Sequence, residues 1–69
     1  APAFYNRGVA KEAKKDLAGA IADFNEAVTI DPAYVSAYKK LATTQRKQGN
    51  EAGVQAAEAM IAKLTGKGK

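Results

Sequence analysis

The 69-residue sequence has no cysteine and no histidine. The first absence excludes a disulfide framework and a thiolate metal site. The second removes the commonest general base and the commonest zinc ligand. Apolar residues run for only a few positions at a time, so no segment is long enough to cross a membrane as a helix. No charged leader followed by an apolar stretch is present, and the chain does not open on Met. It therefore reads as a piece of a longer protein or a processed product. The cytoplasm is the favoured compartment, with the periplasm and the exterior left open because the chain reads as a fragment or a processed product.

Large side chains are also scarce. Of 32 hydrophobic residues 16 are alanine, which leaves 16 larger apolar or aromatic side chains to fill a core. A chain of this length holds one small domain at the lower edge of independent stability. Its core must be thin. Helices drawn close through alanine suit it better than a sandwich or a barrel.

Charge is present in both signs but unevenly placed. Residues 1–34 carry 4 cations against 5 anions, and residues 35–69 carry 7 cations against 2 anions, which together give the net +4. A basic second half can favour an acidic peptide, nucleic acid or an anionic surface. A solvated face with a basic end explains the same charge.

Chain breakers divide the sequence into four stretches, at Lys15-Asp16, Asp31-Pro32 and Gly49-Asn50. In each stretch apolar residues recur every three or four positions, which predicts helix rather than strand. The first covers about 3–14, with Phe4 and Gly8 on one face and Tyr5 and Val9 beside it. The second covers about 17–30, with a stripe of Leu17, Ala20, Ile21, Phe24, Ala27 and Val28, extended to Ile30, and Asp16 as its N-cap. The third covers about 33–48, capped by Asp31 with Pro32 in its first turn, and carries Tyr34, Tyr38, Leu41, Ala42 and Gln45. Gly49 then supplies a left-handed terminus. The fourth covers about 51–64, capped by Asn50, with Val54, Ala57, Met60, Ile61 and Leu64 on one side. Residues 66–69, Gly-Lys-Gly-Lys, read as a flexible basic tail. Connections of two or three residues make neighbouring helices antiparallel.

Shifting the chain by 34 residues brings like onto like. Phe4 falls on Tyr38, Gly8 on Ala42, Asp16 on Asn50, Ala20 on Val54 and Ala27 on Ile61. A helix–turn–helix unit repeating at that period is the signature of a stacked array. The ordered set Phe4, Gly8, Ala20, Phe24, Ala27 and Pro32, and the run Gly19 to Val28 followed by Ile30-Asp31-Pro32, resembles the tetratricopeptide repeat family. The second unit shows Tyr38, Leu41, Ala42, Gly49 and Asn50 in the matching places. The resemblance implies an all-α fold: two antiparallel helix-turn-helix hairpins, residues 1–34 and 35–65, stacked as a short right-handed α-solenoid. The sequence departs from the family pattern at several positions. Arg7 stands where an aliphatic residue is usual, Lys11 where an aromatic is usual, and Lys15 where Gly is preferred. Glu58 replaces the aromatic that Phe24 represents, and Ile61 the small residue that Ala27 represents. These polar replacements suit solvated end faces rather than mid-array joints.

The resemblance further implies a scaffold that binds a peptide or protein segment in a concave groove lined by the first helix of each hairpin. By helical spacing, the lining side chains are Tyr5, Val9 and Glu12 from the first unit, and Lys39, Thr43, Arg46 and Lys47 from the second, with Lys40 at the edge. The basic strip predicts an acidic partner, with Arg46 able to grip a carboxylate in two places. The family's carboxylate clamp of Lys and Asn residues is not carried over, because Tyr5 and Val9 stand where it needs Lys and Asn. The alternative is an assembly module without a groove ligand, stacking on a second copy or on further repeats; two repeats alone predict a marginal monomer or self-association. Nucleic acid is a weaker partner, since the aromatics are spent on the core and are not interleaved with the cations. Catalysis is disfavoured: Glu12 with Asp16, and Asp23 with Glu26, are carboxylate pairs expected on exposed helix surfaces or at a cap, and Gly66-Lys67-Gly68-Lys69 lacks the strand–loop–helix setting of a phosphate cradle. No cofactor or metal is expected.

Overall fold

The computed structural model describes residues 2–66, which form four helices: α1 (Pro2–Ala13), α2 (Leu17–Ile30), α3 (Val35–Gln48) and α4 (Glu51–Thr65). No strand occurs among the described residues. The helices pack in chain order, α1 on α2, α2 on α3 and α3 on α4, while α1 meets α3 only briefly. Two antiparallel hairpins therefore stand side by side in a body of 36 × 25 × 14 Å.

Alanine and glycine set the spacing, as the composition implies. Gly8 is buried against α2, and a Cβ there would lie 2.7 Å from a ring carbon of Phe24. That distance is shorter than carbon contacts allow, so only glycine lets α1 approach this ring. Ala20, Phe24 and Leu41 form one apolar cluster with Tyr5, Val9 and Ile21 packed on it, and Ala42, Val54 and Ala57 form a second. Leu41 of α3 thus belongs to the core of the first hairpin and ties the two units together.

The hairpin turns repeat as the sequence does. After α1, Lys15 takes φ 66°, its N–H donates to the Glu12 carbonyl at 2.9 Å, and the Asp16 N–H donates to the Lys11 carbonyl at 2.8 Å. After α3, Gly49 takes φ 80°, its N–H donates to the Arg46 carbonyl at 3.0 Å, and the Asn50 N–H donates to the Gln45 carbonyl at 2.9 Å. Both are the same paired closure of a helix end around a left-handed residue. The Asp16 side chain then accepts from Gly19 N–H at 3.0 Å, and Asn50 from Gly53 N–H at 3.1 Å, so both expected caps are in place.

The junction between hairpins differs from expectation. Asp31 ends α2 rather than capping α3: its N–H donates to the Ala27 carbonyl, and its carboxylate accepts from Ala33 N–H at 3.2 Å. Pro32 and Ala33 lie in the turn, and α3 starts at Val35 behind Tyr34, which provides no side-chain cap. An aspartate that bonds the amide two residues on makes a local turn, and the chain then needs two more residues to redirect α3. Ile30, assigned to the apolar stripe, is the last residue of α2 and is 55% exposed. Gly66 is the left-handed cap of α4, and the remainder of the expected tail, residues 67–69, lies outside the described residues.

Candidate functional site: the groove between α1 and α3

The brief contact between α1 and α3 leaves a hollow between them. It has a volume of about 230 Å³ and is lined by Tyr5 of α1 and by Ser36, Lys39, Lys40 and Thr43 of α3. Tyr5 forms its wall because its ring is fixed on both sides, 5.8 Å from the Phe24 centroid and 5.2 Å from that of Tyr34, each at a tilt. Such tilted pairs are favourable for aromatic rings. Residues 36, 39, 40 and 43 come to one face by the three-to-four spacing of α3. Thr43 donates its hydroxyl to the Lys39 carbonyl at 3.0 Å.

At the other end of the groove the charges pair among themselves. The Glu12 side chain is 9% exposed; its Oε2 lies 3.1 Å from Lys47 Nζ and its Oε1 4.0 Å from Lys40 Nζ. Thr44 is fully buried and donates to the Lys40 carbonyl at 2.8 Å, with Glu12 Oε2 3.2 Å from the same hydroxyl. Lys39, by contrast, makes no ion pair among the described residues.

Of the expected groove residues, the hollow brings together Tyr5, Lys39, Lys40 and Thr43. Glu12 and Lys47 adjoin it as an ion pair. Val9 is half-buried and packs on the apolar cluster under Tyr5. Arg46 does not join the strip: its Nη2 lies 2.9 Å from Glu58 Oε2 of α4. Ser36 and Thr44 were not assigned from the sequence. Ser36 is reached by stepping one helical turn back from Lys39 or Lys40. Thr44 is the 34-residue counterpart of Ala10, and nothing in one helix alone signals its contact with Glu12.

A second charged cluster lies on the first hairpin. Asp23 is buried, and Arg7 grips it with Nε to Oδ2 at 2.9 Å and Nη2 to Oδ1 at 2.8 Å, while Lys11 Nζ adds a contact at 3.2 Å. The hydrogen bonds from Arg7 outweigh burial and hold the Asp23 carboxyl down at about 2; the same bonds raise the Arg7 guanidinium above its usual value. Arg7 also covers the Phe4 ring at 5.2 Å. The cations found in place of the family's apolar residues therefore neutralise a buried acid. Three of the four carboxylates weighed as catalytic pairs are committed this way: Asp16 to its cap, Asp23 to Arg7 and Lys11, and Glu12 to Lys47 and Lys40. No group of three side chains suited to a metal ion occurs among the described residues, and no helix there is long and apolar enough to cross a membrane.

Comparison with known proteins returns one family. The model of the tetratricopeptide repeat matches residues 1–34, which is the first hairpin. No curated protein and no solved structure matches the chain. Repeats of this family mediate protein–protein interaction and are typically non-catalytic scaffold modules. The matched hairpin, the 34-residue likeness of the second unit and helix packing in chain order agree with one another: residues 1–34 form a tetratricopeptide repeat, and the four helices together fit a short all-helical solenoid of that kind.

Proposed function

We propose that the chain is a protein–protein interaction module whose groove between α1 and α3 receives an extended acidic segment of a partner. The observation that carries this reading is the hollow beside Lys39, whose ammonium makes no ion pair among the described residues, next to the ring of Tyr5 and the hydroxyls of Ser36 and Thr43. A carboxylate placed there gains a charged contact, and the partner's backbone gains neutral donors and acceptors. The test is a calorimetric titration of the 69-residue chain with an acetylated, amidated peptide of alternating Glu and Ala. Its Gln/Ala counterpart serves as control. The acidic peptide binds, the neutral one binds more weakly, and Lys39→Glu abolishes the difference. Equal binding of both peptides removes the acidic partner.

A second reading, self-association, is favoured by a contrast in burial. Phe24 and Ala27 are fully buried, whereas their counterparts on α4 are the exposed Glu58 and the half-buried Ile61. The α4 face is thus the surface on which a further hairpin, such as α1 and α2 of a second copy, would stack. Sedimentation at several concentrations separates the readings: a strictly monomeric chain removes this one.

A further inference from the structure

Glu12 sits among the groove's cations with its side chain nine-tenths buried, and the carboxylate is shared between Lys47, Lys40 and the Thr44 hydroxyl. Its position is that of a bound anion supplied by the protein itself. Of the three lysines on this strip, two are answered by Glu12 and Lys39 is not. Lys39 and Lys47 are eight residues apart on one helix, about 12 Å along the axis, so the two ends are electrostatically distinct at ordinary ionic strength.

We propose that Glu12 determines where the groove accepts an anion: as an internal counter-carboxylate it closes the Lys47 end and leaves the Tyr5–Ser36–Lys39 end to receive the ligand's carboxylate. This rests on the groove reading above and adds to it a position and a residue that sets specificity. A ligand carboxylate that approached Lys47 would meet the charge of Glu12 at close range, and like charges there repel. At the Lys39 end it meets an ammonium that makes no ion pair among the described residues. The carboxylate can come from an acidic side chain or from a free chain terminus, since both present the same two oxygens.

The test is an amide NMR titration of the 69-residue chain and of its Glu12→Gln variant, which keeps the side chain's shape and removes its charge. Two probes distinguish the sources of carboxylate. One is the acetylated, amidated Glu/Ala peptide; the other is an acetylated Gln/Ala peptide ending in a free carboxylate. In the parent chain the shifts centre on Tyr5, Ser36 and Lys39 with whichever probe binds. In Glu12→Gln they extend to Thr44 and Lys47, and affinity rises about three- to tenfold, the size expected for removing one nearby like charge in a solvated groove. Shifts centred on Lys47 in the parent chain overturn the proposal, as does a variant that binds no tighter. If Glu12→Gln does not fold, the shift map of the parent chain decides alone. If neither probe binds either protein, the groove reading itself fails and the assignment of Glu12 falls with it.

Discussion

Single residues in this protein are explained by what they touch across helices, and Asp23 is the clearest case. Its carboxylate is buried, yet it stays ionised because Arg7 and Lys11 reach it from α1. Its folded pKa of about 2 lies below the ordinary value of 3.8, so its stabilising contribution is complete above about pH 5 and is lost as pH falls through the unfolded and then the folded value. Thermal unfolding followed by circular dichroism from pH 6 to pH 1.5 should show a melting temperature that declines through this window. Arg7→Ala should move the titration of the Asp23 carboxyl upward when followed by carboxyl carbon NMR; an unchanged titration would show that Arg7 does not hold it. The sequence displays Arg7 and Lys11 as departures from the family pattern, but the acid that answers them is 16 residues away from Arg7, and that pairing exists only once α1 and α2 are antiparallel. Glu12, Thr44 and Lys47 are a second case, drawn together over more than 30 residues of chain.

At the scale of the element, the four helices and the caps of α2 and α4 follow from local signals. Asp16 and Asn50 cap as expected because an N-cap needs only its own side chain and an amide three residues on. The start of α3 was less legible, since Asp31 had two local uses and the turn won. The two hairpin turns offer a controlled comparison, with Lys15 and Gly49 in the same left-handed conformation at equivalent positions. A side chain with a Cβ costs roughly 1–2 kcal/mol there, and glycine gives back about 0.5–1 kcal/mol in chain entropy. Lys15→Gly should therefore stabilise the chain by about 0.5–1 kcal/mol, and Gly49→Lys should destabilise it by a similar amount, both read from urea unfolding. A loss of stability in Lys15→Gly would mean that the first turn is held by more than its backbone geometry.

For the whole molecule, the decisive contact is Leu41 against Ala20 and Phe24, because it joins one hairpin to the core of the other. Leu41→Ala should cost about 2–5 kcal/mol, the usual range for a buried leucine truncated to alanine. It should also weaken the coupling between hairpins, so that unfolding followed by Tyr fluorescence and by circular dichroism no longer coincides. Coincident transitions with a small loss would show that the hairpins are held together elsewhere. The groove has the same origin. Because α2 fills the space between α1 and α3, the two first helices touch only briefly and leave the hollow beside Lys39.

The sequence by itself determined the four helices, the 34-residue repeat and the small residues that permit close packing, because each is written in spacing and composition along the chain. Helical periodicity also puts Lys39 and Thr43 on one face of α3, whereas Tyr5 joins them in the hollow only through the packing of α1 beside α3. Only the tertiary structure decided which cations are left unanswered. Arg46 is turned to Glu58, Lys47 and Lys40 to Glu12, and Arg7 and Lys11 to Asp23, whereas Lys39 has none of these partners. A charge's partner is set by distance in space, and each of these pairs joins two different helices.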